Sequence, residues 1–144
     1  MQTQTLSKKG DASSSPGFGL FDTAEDYMQF GWGEKFDAKR VTQVLNLKRS
    51  DVSKFSSVAE SSVRYDDAMP AVVRERMEEI ASTVNLVAKQ FGGDQEKTVA
   101  WFKAKNPLLG DVSPRDMIRL GRYGRLRRFI ISAMTSQTPS RAGA

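Results

Sequence analysis

The chain has 144 residues, a formal net charge of +5, 39% hydrophobic residues, and neither cysteine nor histidine. That length suits one compact domain, or two helical subdomains sharing a core. Without Cys and His there are no disulfides, thiolate nucleophiles or Cys/His zinc sites, and an enzyme built here would rest on carboxylates, Lys, Tyr or Ser with no paired arrangement visible.

The charge is uneven. Residues 1–94 carry 12 Lys/Arg against 14 Asp/Glu, a balance of −2, whereas residues 95–144 carry 10 against 3, a balance of +7. Six arginines (Arg115, Arg119, Arg122, Arg125, Arg127, Arg128) stand against the single acid Asp116 in one short stretch. Such density either seeks an anionic or acidic partner or forms a solvated basic face. The opening MQTQTLSKKG is polar with no apolar h-region after it, and no apolar run approaches the roughly 20 residues of a membrane span. A cytoplasmic protein without a membrane partner is expected.

Residues 1–17 offer almost nothing to bury, so ordering them costs entropy without return, and a disordered tail is expected. Residues 18–36 form an aromatic-rich arm, with Phe18, Leu20, Phe21, Tyr27, Met28, Phe30, Trp32 and Phe36 broken by glycines and one short helix predicted over 23–30. An arm of this kind packs on its own domain or on a second copy of it.

Residues 37–69 read as a helix-turn-helix-like subdomain. Asp37 caps a helix over 38–47 in which Val41, Val44 and Leu45 recur at helical spacing. Ser50 is expected to cap a second helix carrying Val52 and Phe55, and after a turn at 56–58 a third helix is predicted over 60–65, with Val63 inward. In that outline Ser61, Ser62 and Arg64 face base edges, while Arg49 and Lys54 lie near phosphates. Glu60, Asp66 and Asp67 flank the same helix with the wrong sign for DNA. Ser57 stands where the turn favours glycine, and Ser56 where an apolar residue often packs.

Residues 70–134 hold a long helix and a second small subdomain. Pro70 suits a first helical turn. Val73, Met77, Ile80, Val84, Val87 and Phe91 step by three and four, widened by Met69 and Val72, and Gly92-Gly93 stops the run. The stripe is either core or a dimer seam. Asp94 caps a helix to about residue 105, with Thr98, Val99, Trp101 and Phe102 inward; Asn106-Pro107 ends it. Leu108-Leu109-Gly110 is a short apolar loop. Ser113-Pro114-Arg115-Asp116 is a helix start with Ser as N-cap, Pro at the first position and Asp reaching back as in a capping box. That helix carries Met117, Ile118 and Leu120 and stops at Gly121. The closing helix, 123–134, places Leu126, Phe129, Ile130, Ala133 and Met134 on one side, opposite Arg125, Arg128 and Ser132. Residues 135–144 read as a flexible C-terminal tail. The fold class is all-α.

The run EKTVAWFKAKNPLLGDVSPRDMIRLGRYGRLRRFI resembles the C-terminal toxin-binding domain of Xre/MbcA/ParS-type antitoxins. Their pattern is a Trp-containing helix, Asn-Pro, a Leu-Gly loop, a Pro-started helix and a closing helix. Trp101, Asn106, Pro107, Leu109, Gly110, Pro114, Met117 and Ile118 carry the match, and the upstream outline is similar to the Xre-like N-terminal part of the same proteins, so the resemblance covers about residues 36–134.

The resemblance implies an antitoxin of a type II toxin-antitoxin system, with no enzymatic activity and no cofactor. Its partner would be a RES-domain toxin that consumes NAD or uses it to ADP-ribosylate a target. The toxin-binding residues it implies are Asn106, Pro107, Leu108 and Leu109, with Arg119, Arg122, Tyr123, Arg125 and Arg128 on the stretch that follows. It also implies a homodimer or a larger hetero-oligomer with the toxin, and repression of its own operon through operator DNA. The alternative is a DNA-binding helix-turn-helix regulator without a toxin partner.

Overall fold

The stripe that steps by three and four from Val73 becomes the helix on which most of the others pack. The computed structural model describes residues 25–143, with side chains described as far as Thr135. Among the described residues it holds six α-helices and no β-strand. They are α1 (Ala38–Leu45), α2 (Arg49–Ser56), α3 (Ala71–Gln90), α4 (Gln95–Lys103), α5 (Pro114–Arg119) and α6 (Tyr123–Gly143). Single 3-10 turns at Gly33–Lys35, Glu60–Ser62 and Pro107–Leu109 punctuate the connections. No described helix is long and apolar enough to cross a membrane.

Helix α3 packs against α1, α2, α4 and α6. Val73, Met77, Ile80 and Val84 are fully buried and Val87 nearly so. Ala81, Thr83, Asn85, Leu86 and Ala88 are buried as well. A helix enclosed on most sides over its second half is a core helix, which decides between the two readings of the stripe. Pro70 sits one position outside the helix, as its N-cap residue. Of the two widening residues, Met69 packs on the core while Val72 is largely exposed. On the outer side, Arg74 pairs with Glu78 at 3.2 Å and Arg76 with Glu79 at 2.6 Å.

The arm is held by polar groups more than by helix formation. The helix expected over 23–30 is absent from residue 25 onward, and Thr23 lies outside the described residues. Instead the chain turns at Tyr27 and Met28, and Gln29 takes a left-handed backbone at φ 60°. Asp26 explains this. Its two carboxylate oxygens accept from the Phe30 and Gly31 N–H groups at 2.9 and 2.8 Å, which competes with helical pairing. Buried Asn85 of α3 accepts from the Met28 N–H at 2.9 Å and donates to Asp26 at 3.1 Å. Gln95 donates to the Tyr27 carbonyl at 2.8 Å, Arg40 to that of Met28 at 2.9 Å, and Arg74 to that of Gly33. Met28 and Phe30 are thereby sunk into the core. Gly93 is needed beside them, since a Cβ there would stand 2.8 Å from the Tyr27 ring. This part of the arm packs on its own domain. Residues 1–17, expected as a tail, and Phe18, Leu20 and Phe21 of the arm lie outside the described residues.

The helix-turn-helix outline is corrected in two places. Helix α2 starts two residues earlier than expected, with Lys48 at the N-cap position and Ser50 inside the helix. The capping oxygen comes from Asp51, which accepts from the Lys48 N–H at 2.8 Å. The third helix does not form: only Glu60–Ser62 make a 3-10 turn. With Val63 as its one inward residue, the segment lacks the apolar face that offsets helix nucleation. Asp66 then takes the Ala68 N–H at 2.9 Å and the Arg64 guanidinium at 2.8 Å, closing a turn in its place.

Ser56 occupies the core position expected of an apolar residue. It is 3% exposed, and its hydroxyl has no hydrogen-bond partner among the described residues. Ser56→Ala is therefore expected to stabilise the fold by about 1 kcal/mol, because an unsatisfied buried hydroxyl is removed with little change of volume. Denaturant titration checks it; a loss of stability would show that the hydroxyl has a partner.

The closing helix also runs further than expected. The backbone of α6 is helical to Gly143, where a flexible tail from residue 135 was expected. Gly124, in its first turn, leaves the helix unbroken, and the Thr135 hydroxyl donates to the Ile131 carbonyl at 2.8 Å.

Candidate partner-binding surface

Helix α4 begins as expected, with Asp94 accepting from the Lys97 N–H at 3.0 Å, and ends at Lys103. Trp101 and Phe102 at its end meet edge to face at 5.1 Å, Phe102 fully buried and Trp101 partly so. The chain then closes a small loop on Asn106. The Asn106 side chain accepts from the Leu108 N–H at 3.0 Å, and its carbonyl takes the N–H groups of Leu109 and Asp111 at 2.9 and 3.0 Å. Its own N–H reaches the Val112 carbonyl at 3.2 Å, making an isolated antiparallel bridge. Gly110 and Asp111 both adopt left-handed backbone, at φ 80° and 62°, which brings the loop back on itself.

The consequence is a fixed apolar projection. Leu109 and Val112 pack on the core, whereas Leu108 is 79% exposed. Pro107 beside it is exposed too. Asn106 is the organiser of this loop, and Leu108 its outermost side chain.

Helix α5 starts with the Ser113 hydroxyl accepting from the Asp116 N–H at 3.0 Å and Pro114 at the first position. Asp116 does not complete a capping box. Its carboxylate is drawn to Arg119 at 2.8 Å and Arg115 at 3.5 Å. Of the three apolar residues of this segment, Met117 and Ile118 are buried, but Leu120 is largely exposed.

Two of the six clustered arginines hold the halves of the chain together. Arg115 donates to the Leu45 and Asn46 carbonyls at 2.6 and 2.8 Å, capping the C-terminal end of α1, where Asn46 is left-handed at φ 55°. Arg119 pairs with Asp51 of α2 at 3.3 Å as well as with Asp116. Those carboxylates, Asp116 first and then Asp51, hold the Arg119 pKa above its ordinary value. Arg127 is half-buried, and Arg122, Arg125 and Arg128 are exposed. No described acid pairs with these last three.

Tyr123, expected at a partner surface, is interior. It is 6% exposed, and its hydroxyl lies 2.7 Å from both the Thr83 hydroxyl and the Glu79 carbonyl. The Arg76 guanidinium stands 5.6 Å from its ring centre. The reason is helical register: Tyr123 shares a side of α6 with Leu126 and Ile130, both buried. Burial pushes its pKa up to about 12, against the opposing pull of the Thr83 hydrogen bond and nearby Arg127 and Arg76.

An alkaline signature follows. With the folded pKa above the ordinary value near 10, stability is complete below that value and is lost as pH rises towards about 12. The loss amounts to roughly 2–3 kcal/mol. Tyr123→Phe is expected to cost about 1 kcal/mol at neutral pH and to remove that alkaline slope. Denaturant titrations of both proteins across this range measure it, and an unchanged slope in the variant would exclude Tyr123 as its source.

The residues expected to face DNA separate. Arg49, Ser61 and Arg64 line an open groove of about 620 Å³ together with Asp37, Lys39, Val63, Tyr65 and Asp66, whereas Lys54 and Ser62 are exposed but do not line it. Arg64 is engaged by Asp66, whose hydrogen bond raises the arginine pKa and lowers that of the acid. The 3-10 turn advances only about 6 Å, too little to lay several side chains along a major groove. Ser61 and Ser62 therefore do not sit on a recognition helix.

The ties Asp51–Arg119, Arg115–Leu45 and Asn85–Asp26 were not foreseen from sequence. Only Asp51 carried a signal, as an acid in the first turn of a helix. The chain matches no family model, no curated protein and no solved structure.

Proposed function

We propose that the chain is an antitoxin that binds and inhibits a RES-domain toxin which consumes NAD or ADP-ribosylates a target. The observation that carries the reading is the loop organised by Asn106, which holds Leu108 outward at 79% exposure. A rigid apolar side chain on a cross-braced loop suits insertion into a partner's pocket, because little conformational freedom is lost on binding. The loop belongs to the Trp, Asn-Pro, Leu-Gly and Ser-Pro pattern that resembles the Xre/MbcA/ParS-type toxin-binding domain. Asn106 and Leu109 act in this reading by shaping the loop, and Pro107 and Leu108 by contact. Arg119 and Tyr123 support the fold behind it.

Inhibition of this kind needs shape and hydrogen bonds, not chemistry performed by the inhibitor. Assembly as a homodimer or as a larger complex with the toxin belongs to the same proposal. Size-exclusion chromatography of the full chain mixed with a purified RES-domain toxin tests it. Co-elution as one complex is expected; separate elution at micromolar concentrations would refute the pairing.

A further inference from the structure

We propose that the outer face of α6 is a binding surface for the phosphate backbone of duplex DNA, reading charge and not sequence. Arg122, just before the helix, and Arg125 and Arg128 within it follow at intervals of three, so they fan across one side and span about 9 Å along the axis. That span is comparable with roughly two to three consecutive phosphates of one strand. All three are exposed, and no described acid neutralises them. Between residues 123 and 144 the sequence contains no Asp or Glu, so the face carries one sign of charge. Arginine also suits phosphate in particular, because its planar fork donates two parallel hydrogen bonds.

The composition of the face favours a polyanion over a packed protein partner. As far as Thr135, the exposed positions of the helix are Gly124, Arg125, Arg128, Ser132 and Thr135. None is an apolar anchor, whereas the centres of protein interfaces are built on such anchors and are depleted of charge. A membrane surface fits poorly as well, because Leu126 and Ile130 on the opposite side are buried in the core and are not free to insert. Base reading by the segment around Glu60–Ser62 lacks a helix, and Arg64 there is occupied by Asp66. Arg122, Arg125 and Arg128, by contrast, lie together on one face with no described acid paired to them. The inference does not rest on the antitoxin reading: it moves Arg122, Arg125 and Arg128, which the resemblance implies as toxin-binding, to DNA, and leaves Leu108 to the toxin.

Fluorescence anisotropy of the full chain on two short duplexes of unrelated sequence, over about 50–200 mM salt, tests it. Equal affinity for the two duplexes is expected, falling with salt. The triple variant R122Q/R125Q/R128Q is expected to reduce the log–log salt slope by about 3 and the low-salt affinity by about tenfold or more. Its melting temperature should not change, as all three side chains are exposed. Absence of binding by the native chain would overturn the proposal. So would an unchanged salt slope in the triple variant, or a preference for one duplex that disappears in Arg64→Ala. A triple variant that keeps its DNA affinity but loses an acidic protein partner would reassign the face to that partner and overturn it equally.

Discussion

Leu108→Asp is expected to weaken binding of a cognate RES-domain toxin by about a hundredfold while leaving the melting temperature unchanged. Truncating or charging a central interface anchor costs about 2–4 kcal/mol, and each 1.4 kcal/mol is a factor of ten. At 79% exposure Leu108 contributes almost nothing to the core, so the fold has no reason to respond. Asn106→Ala should act through the same surface differently. It removes the side-chain acceptor for the Leu108 N–H and loosens the loop, which should weaken binding by about tenfold through lost preorganisation. Calorimetric titration measures both. A Leu108→Asp protein that binds as tightly as the native chain would remove this loop from the interface.

Asp51→Ala is expected to destabilise the fold by about 2–3 kcal/mol, lowering the melting temperature by roughly 10 °C. Two roles are lost together. The carboxylate caps the first turn of α2 through the Lys48 N–H, a role worth about 1 kcal/mol. It also holds Arg119 from α5, in a pair whose acid is 9% exposed at the side chain. Arg119 is 35% exposed and keeps Asp116, so the cost stays below that of a fully buried broken pair. Asp116→Ala should cost less than about 1 kcal/mol, as expected of an exposed pair. A double-mutant cycle of Asp51 with Arg119 isolates their coupling. An Asp51→Ala protein within about 0.5 kcal/mol of the native one would show that the tie between α2 and α5 is dispensable.

Legibility from sequence followed the range of the interactions. Periodicity found α1, α3, α4 and the start of α6, since burial of Val73, Met77, Ile80 and Val84 is written in their spacing. Local capping grammar found Asp37, Asp94, and Ser113 with Pro114, because each such contact closes within three residues. The failures had two sources, a local turn that outcompeted a weakly apolar helix and a contact between groups distant in the chain. A helix over 60–65 looked plausible by outline, yet the segment had one residue to bury and Asp66 supplied a competing turn. The arm looked helical until Asp26 and Asn85, residues far apart in the chain, fixed it as a turn.

The basic stretch shows the same limit at the candidate site. Six arginines looked like one patch, but Arg115 and Arg119 are consumed by α1 and α2 across the core. Only the fold separates them from Arg122, Arg125 and Arg128. Tyr123 was misplaced for a related reason, since the Thr83 and Glu79 groups that receive its hydroxyl sit on α3, about forty residues away. The loop at Asn106, by contrast, closes on itself and was visible in the residues Asn-Pro-Leu-Leu-Gly.

The most direct test of the antitoxin reading is nicotinamide release by a purified cognate RES-domain toxin, followed as this protein is added in increasing amounts. NAD glycohydrolysis and ADP-ribosylation both release nicotinamide, so one readout covers either activity. The rate is expected to fall in proportion to the protein added and to reach zero at a fixed stoichiometry. An undiminished rate in the presence of excess protein would contradict the antitoxin reading.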